Sequence, residues 1–354
     1  MRYPASMEHA RPTGTGYALI SAALFGITTP LAKLLLGGAS PLLLAGLLYL
    51  GAGLGLSLWL MLTREHATSG LKRADWPWLA AAISVGGVAA PALLMWGLSQ
   101  ASAASAALLL NLEAVFTALL AWLAFREHTS RRVAGGFTII LAGGLLLAWP
   151  GAGASLPAPA ALLIAGACLC WGLDNNLTRK VAAADARHIG AIKGLVAGST
   201  NTLIALGTGA ALPAMRPLGA ALLLGLLGYG ISVVLYIKAL RHLGTARTGA
   251  YFATAPFIGG ALALALSAQA PGLLFCLAAA CMALGVWLHL TERHQHEHRH
   301  EPMLHSHEHT HDAHHQHDHG PGWDGREPHV HEHRHAPLHH SHAHFPDIHH
   351  QHPH

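Results

Sequence analysis

From residue 15 to residue 290 the chain is almost wholly Ala, Leu, Gly, Val and Ile, with charges confined to short intervals. A bilayer core about 30 Å thick accepts only elements that satisfy their own backbone. For an apolar run that means helices of about 20 residues. Segments of that length fall near 15–37, 41–63, 76–98, 101–125, 132–149, 156–177, 188–208, 217–240, 247–267 and 272–291. The pattern predicts an all-α membrane protein of ten transmembrane helices. Charged residues make up 11% of the chain, against roughly 25% in a soluble domain, and mean hydropathy is +0.39. No catalytic constellation stands out, so an enzyme is not expected. The pI near 9.0 calls for no nucleic-acid partner, because basic connectors are normal in a membrane protein.

Orientation follows from those connectors. One set carries Arg64, Lys72 and Arg73, then Arg126, Arg131 and Arg132, then Arg179, Lys180 and Arg187, then Arg241 and Arg247; the other carries only Arg216. The rich side is expected to be cytoplasmic, with both termini inside and the inner membrane as location. Trp59, Trp76, Trp78, Trp122, Trp149 and Trp287 fall near segment ends, where indoles favour the headgroup layer. Cys168, Cys170, Cys276 and Cys281 lie inside apolar runs and are expected to be reduced thiols. Residues 1–14 form a short polar lead, followed by a retained first helix rather than a cleaved signal.

The chain repeats itself. Gly97-Leu98-Ser99-Gln100-Ala101 aligns with Ala239-Leu240-Arg241-His242-Leu243, and the register continues until Glu113-Ala114 faces Ala255-Pro256. Two five-helix halves, 15–150 and 156–291, result. An odd number of crossings makes the second half enter from the opposite side, which is an inverted repeat. Within it, Phe25-Gly26-Ile27-Thr28-Thr29-Pro30-Leu31-Ala32-Lys33 is echoed by Trp171-Gly172-Leu173-Asp174-Asn175-Asn176-Leu177-Thr178-Arg179. Polar residues at matching places in two halves point to a binding site. Gly51 and Gly55, and Gly194 and Gly198, share helix faces and are read as packing positions.

Intramembrane ionisable residues are costly and default to function. Glu113, in Leu110-Asn111-Leu112-Glu113-Ala114, sits far from either interface and suits a site that holds a proton in one state and a cation in another. A static pair with Lys193 or Lys238 is the alternative. Asp174, Asn175 and Asn176 cannot share one helix face, so the helix there is wet, covered by protein or unwound. Pro30, Pro91 and Pro256 free the carbonyls of Gly26, Gly87 and Phe252; such carbonyls either line a cavity or are covered by a neighbouring helix. The candidate transport site is therefore Glu113, Asn111, Asp174, Asn175, Asn176, Thr28, Thr29 and Pro30. Thr28-Thr29-Pro30 and Asp174-Asn175-Asn176 read as equivalent gates, with Glu113 between them.

Leu123-Ala124-Phe125-Arg126-Glu127-His128, followed by Gly135-Gly136-Phe137-Thr138 through Gly143-Gly144, is similar to a motif of the drug/metabolite transporter superfamily, EamA type. That family has an acidic residue ending its fourth helix and a Gly-rich fifth. The resemblance covers about 15–291 and departs at Ser267-Ala268-Gln269, where the family's Arg-Glu pair is missing. It implies ten helices in two inverted halves and carriage of a small solute, without fixing which.

After Arg293 the composition changes: residues 294–354 hold 24 of the 30 histidines. Many alternate strictly, as in His294, His296, His298 and His300, in His305, His307, His309 and His311, and in His329, His331, His333 and His335. With acids interspersed and no apolar periodicity, this segment is expected to be a disordered cytoplasmic tail. Neutral imidazole suits Zn, Cu and Ni. No resident cofactor is required, and a divalent transition metal (Ni, Co or Zn) is expected on the tail. Below about pH 6.5 the imidazoles gain charge and lose metal.

The combination loosely resembles nickel-cobalt resistance membrane proteins, which pair such a carrier with histidine-rich ends. It leads to the expectation of a proton-coupled exporter of nickel or cobalt, or else zinc. The alternatives are an amino-acid or metabolite exporter, with Asp174, Asn175 and Lys33 holding the zwitterion, and a non-transporting metal-responsive membrane protein. Expected partners are the lipid bilayer, the small solute and protons, with a homodimer left open.

Overall fold

Apolar segments bounded by Pro, Gly and charged connectors become helices because no other open-ended element keeps its backbone bonded in hydrocarbon. The computed structural model describes residues 11–63, 71–125, 131–149, 156–181, 184–267, 270–291, 295–300, 304–309, 329–334 and 338–343. The helices are α1 (Arg11–Leu35), α2 (Pro41–Thr63), α3 (Trp76–Ala82), α4 (Ala90–Gln100), α5 (Ala103–Leu109), α6 (Leu112–Phe125), α7 (Arg131–Leu147), α8 (Ala158–Thr178), α9 (Ala186–Gly207), α10 (Met215–Gly225), α11 (Ser232–Phe252), α12 (Ala255–Ser267) and α13 (Leu273–Leu290). Among the described residues seven apolar stretches are long enough to cross a bilayer, and the shorter Arg132–Leu147, Ala255–Ser267 and Leu273–Leu288 bring the set to ten.

Two of the expected spans are less regular than their sequence suggests. The third span runs α3–α4 through a π-helical segment, Ile83–Ala89, and the eighth runs α10–α11 through another, Leu226–Ile231. These are matching places in the repeat. The fourth span breaks at Leu110-Asn111 between α5 and α6, and the ninth at Ala253-Thr254 between α11 and α12. Hydropathy registers length and apolarity, so none of these four irregularities is visible to it.

Although α11 is helical throughout, it reverses direction. The rings of Tyr236 and Phe252 lie 4.9 Å apart, whereas sixteen residues of straight helix would separate them by about 24 Å. The turn falls where the eighth span was expected to give way to the ninth.

Packing obeys the exchange of one half for the other. The second span of each half packs on its counterpart (α2 on α9), as do the fifth (α7 on α13) and the fourth (α5 on α12). The first span of one half packs on the third and fourth of the other: α1 on α11 and α12, α8 on α4 and α6. Small residues let these backbones meet, since lipid gives no hydrophobic drive between helices. A Cβ at Gly194 would strike Gly53, one at Gly198 would strike Leu50, and one at Gly51 would strike Leu222. The packing role read for these glycines is the observed one.

The chain divides into two units, Met1–Glu292 and Arg293–His354. In the second, the described residues form four strands, β1 (Gln295–His300), β2 (Leu304–His309), β3 (His329–Arg334) and β4 (Leu338–Ala343). β1 pairs antiparallel with β4 and β2 with β3. Their sequence alternates with period two, which is the period of a strand. His294, His311 and His335 lie outside the described residues, as do Arg64, Arg126, Glu127, His128 and Gln269.

Candidate transport site

α8 remains helical through Thr178 and turns its three consecutive polar residues to different neighbours. Asn175 donates its amide to Glu113 Oε1 at 3.0 Å and to Thr117 Oγ1 at 3.1 Å, both on α6. Asn176 is buried and donates to the carbonyls of Thr117 (3.0 Å) and Gly172 (2.8 Å). Asp174 faces α9, where Lys193 Nζ meets its two carboxylate oxygens at 2.6 and 2.7 Å. The Thr178 hydroxyl donates to Asp174 at 2.9 Å. The helix does not unwind to house this triplet: Asp174 and Asn176 are covered by protein, while Asn175 is exposed.

Glu113 thus has an amide for a partner. Among the described residues no base pairs with it: Lys193 is taken by Asp174, and Lys238 lies over the Tyr17 ring at 5.9 Å. The static pair considered for it does not form. Glu113 sits in the first turn of α6, just past the break in the fourth span, and is half-buried while Asn175 is exposed. Because Asn175 gives its NH₂ to both α6 partners, its carbonyl oxygen remains as a second acceptor.

Across from this cluster stand linked aromatic rings. Tyr49 and Tyr229 are 5.4 Å apart, Tyr229 meets Phe25 edge-on at 6.0 Å, and Phe25 meets Phe252 at 5.3 Å. The Glu113 carboxylate lies within electrostatic reach of Tyr49, Tyr229 and Tyr236. Sequence reasoning missed Thr117 and all of these tyrosines. Thr117 had a signal, since it lies four residues after Glu113 on the same helical face. The tyrosines had none, because they converge from different spans.

Asn111 is brought to a different task. It is buried and donates to the Leu108 carbonyl at 2.8 Å, satisfying backbone at the helix break rather than joining the Glu113 cluster. Thr28 and Thr29 are buried, and Thr28 returns its hydroxyl to Leu24 O at 2.9 Å. The Gly26 carbonyl that Pro30 frees is covered by Gly259 of α12, so at this proline the structural alternative holds. Lys33 donates to the carbonyls of Leu98 and Ser99 at 2.7 and 3.0 Å, capping the C-terminal end of α4. The zwitterion set of Asp174, Asn175 and Lys33 is therefore not assembled.

The two echoed stretches do occupy equivalent places. A Cβ on Gly86, in the first π segment, would strike the Asp174 carboxylate. A Cβ on Gly228, in the second, would strike the Thr28 hydroxyl. Each polar residue nests in the third span of the opposite half, against the glycine that the repeat register sets in correspondence. The π segment also leaves the Gly86 carbonyl to accept from Trp171 Nε1 and Tyr49 Oη, both at 3.0 Å; π-bulges of this kind recur at functional sites. Gly86→Ala is expected to cost about 1–3 kcal/mol by overpacking and to push Asp174 off Lys193. Thermal unfolding in detergent together with solute flux checks this, and a variant matching the parent in both would contradict it.

Residues 12–149 and 158–291 each match the EamA-like transporter family. The chain belongs to the EamA-like transporter family. An uncharacterized transporter of Methanothermobacter thermautotrophicus is 29% identical over 269 residues, covering 70% of this chain and 78% of that protein. A crystal structure at 20% identity superposes with a TM-score of 0.60 over 79% of this chain and 99% of its own, which speaks for the fold alone. This EamA-like protein is a multi-pass membrane transporter of a small solute. Its membrane unit shows no group of three or more His, Cys, Asp or Glu side chains placed to hold a metal, among the described residues.

Proposed function

We propose that this EamA-like carrier exports a small, singly charged organic cation, an amine or ammonium compound, in exchange for protons. The observation that carries this reading is the charge balance of the central cluster: one carboxylate, Glu113, paired with no base among the described residues and hydrogen-bonded by Asn175. A proton or a monovalent cation brings that carboxylate to neutrality. Each displaces the other, which is the elementary requirement of exchange. The acceptors of Glu113 and Asn175 suit ammonium N–H groups, and the rings of Tyr49, Tyr229 and Phe25 suit its alkyl or aromatic body through cation–π attraction. A divalent ion would leave one positive charge uncompensated at mid-membrane, costing about 3 kcal/mol even on insertion-based scales.

Inner-membrane placement and cytoplasmic termini belong to the same reading and rest on the Lys/Arg distribution; outward direction rests on the family and on a histidine-rich segment placed on the cytoplasmic side. A divalent metal cargo, nickel or cobalt before zinc, is the second reading; what favours it is the density of histidine after residue 294.

The test is flux into inside-out vesicles carrying a pH gradient, with organic amines, amino acids, Ni²⁺ and Co²⁺ as probes. The expected result is proton-driven accumulation of an amine that persists when residues 294–354 are removed. Metal accumulation alone, lost in Glu113→Gln, would replace the lead with the second reading. A chain that moves no probe but changes partner binding with metal would be the non-transporting alternative.

A further inference from the structure

The N–H donors around Glu113 are already committed. Lys193 Nζ has a partner for each of its hydrogens: both Asp174 oxygens and Thr178 Oγ1. Asn175 gives its amide hydrogens to Glu113 Oε1 and Thr117 Oγ1, and Asn176 gives its own to the carbonyls of Thr117 and Gly172. Trp171 Nε1 and Tyr49 Oη both donate to the Gly86 carbonyl. The π segment is what leaves that carbonyl open to them. Ala90 N–H donates to Val85 O, five residues back. The next nitrogen, that of Pro91, then falls to Gly86 and has no hydrogen to give. At the break in the fourth span, the backbone N–H groups of Asn111 and Glu113 are held by the carbonyls of Leu108 and Leu110. Among the described residues, what is left to donate near Glu113 is neutral hydroxyl, that of Thr117, Tyr229 and Tyr236.

Acceptors, by contrast, remain. Glu113 keeps its second carboxylate oxygen, and Asn175 keeps its carbonyl oxygen. We infer that this site admits an amine without an acid group and turns away the same amine carrying an α-carboxylate, and that Asp174 sets the choice by occupying Lys193. The inference rests on the proposed cargo class and narrows it. An ammonium group finds carboxylate and amide oxygens there. A zwitterion brings a carboxylate as well, and near Glu113 no ammonium or amide N–H is free to meet it among the described residues. A charge left uncompensated at mid-membrane weakens binding by about 100-fold. Asp174 and Asn175 are consecutive on α8, one holding Lys193 and the other Glu113. The occupied base and the open acid are thus attached to neighbouring residues of one helix. With Asp174 made neutral, the Lys193 ammonium is left without a counter-charge, and a substrate carboxylate can supply one.

Phenethylamine and phenylalanine, which differ only in the carboxylate, separate the outcomes. Uptake of each is followed into inside-out vesicles carrying the full-length protein and a pH gradient. The amine is expected to be favoured by about 100-fold in rate at low concentration. Asp174→Asn is expected to narrow that ratio by about 10-fold or more, the scale of a charge-assisted contact. Phenylalanine should then raise the melting temperature of that variant in detergent more than phenethylamine does. Asp174→Asn with Lys193→Met, which removes the base, should lose the gain for phenylalanine. The ratio in the parent protein needs no variant, so it decides even if Asp174→Asn does not fold. The inference is overturned if the parent takes up phenylalanine as readily as phenethylamine, or if folded Asp174→Asn keeps the parent's ratio. Amine flux in either case leaves the proposed cargo class standing. If neither phenethylamine nor any other amine moves, the proposed function falls and this inference with it.

Discussion

Glu113→Gln is expected to abolish proton-driven exchange while leaving the carrier inserted and folded. The side chain keeps its length, and its amide oxygen can still accept from Asn175 Nδ2, which now lies 3.0 Å from Glu113 Oε1. What disappears is the one negative charge that a proton and a substrate cation can take in turn. Without it a bound cation sits uncompensated in the membrane, a loss of about 3 kcal/mol, or roughly 100-fold in affinity. Flux driven by a pH gradient in vesicles should fall at least that far. Thr117→Val, which removes only one acceptor of the Asn175 amide, should weaken transport by less than tenfold, since a neutral hydrogen bond contributes about 1 kcal/mol. Full proton-driven flux in Glu113→Gln would remove the carboxylate from the exchange step.

The second large effect concerns Lys193. Its ammonium holds both Asp174 oxygens and also reaches Thr178 Oγ1 at 3.3 Å, with side-chain exposures of 16% for Lys193 and 9% for Asp174. Removing one member of a buried pair leaves a buried charge without compensation, which costs about 3–5 kcal/mol. Lys193→Ala should therefore destabilise the carrier by that order, and Asp174→Asn combined with Lys193→Met should recover most of it. Thermal unfolding in detergent measures both. If the double variant is no more stable than the single one, the pair is not the source of the effect. Because Asp174 also packs against Gly86 in the π segment, the double variant is expected to stay folded yet transport poorly, as the contact between the two halves loses its charge.

Lys193 also illustrates where sequence reading runs out. It was recognisable as a base inside the membrane and was weighed as a partner for Glu113, when its partner is Asp174. The two acids are far apart in the chain, and nothing local ranks them. Asn111 is a similar case. Its position two residues before Glu113 suggested a shared site, but the break between α5 and α6 turns it inward to backbone. The echo between the two halves fared better: Thr28 and Asp174 lie at corresponding places, each against the matching glycine of the opposite half.

What the sequence determined by itself was the set of ten apolar spans, the two inverted halves, the family and the intramembrane acid. These follow from length, hydropathy and internal register, all of which are one-dimensional quantities imposed by the bilayer. Only the tertiary structure decided the rest. It chose the partner of each buried charge, broke the fourth and ninth spans, placed π segments beside Asp174 and Thr28, and drew tyrosines from separate spans toward Glu113. Those outcomes depend on which helix faces meet. In lipid that choice is set by close packing of small residues and by pairing of polar groups, and neither is written in any one segment.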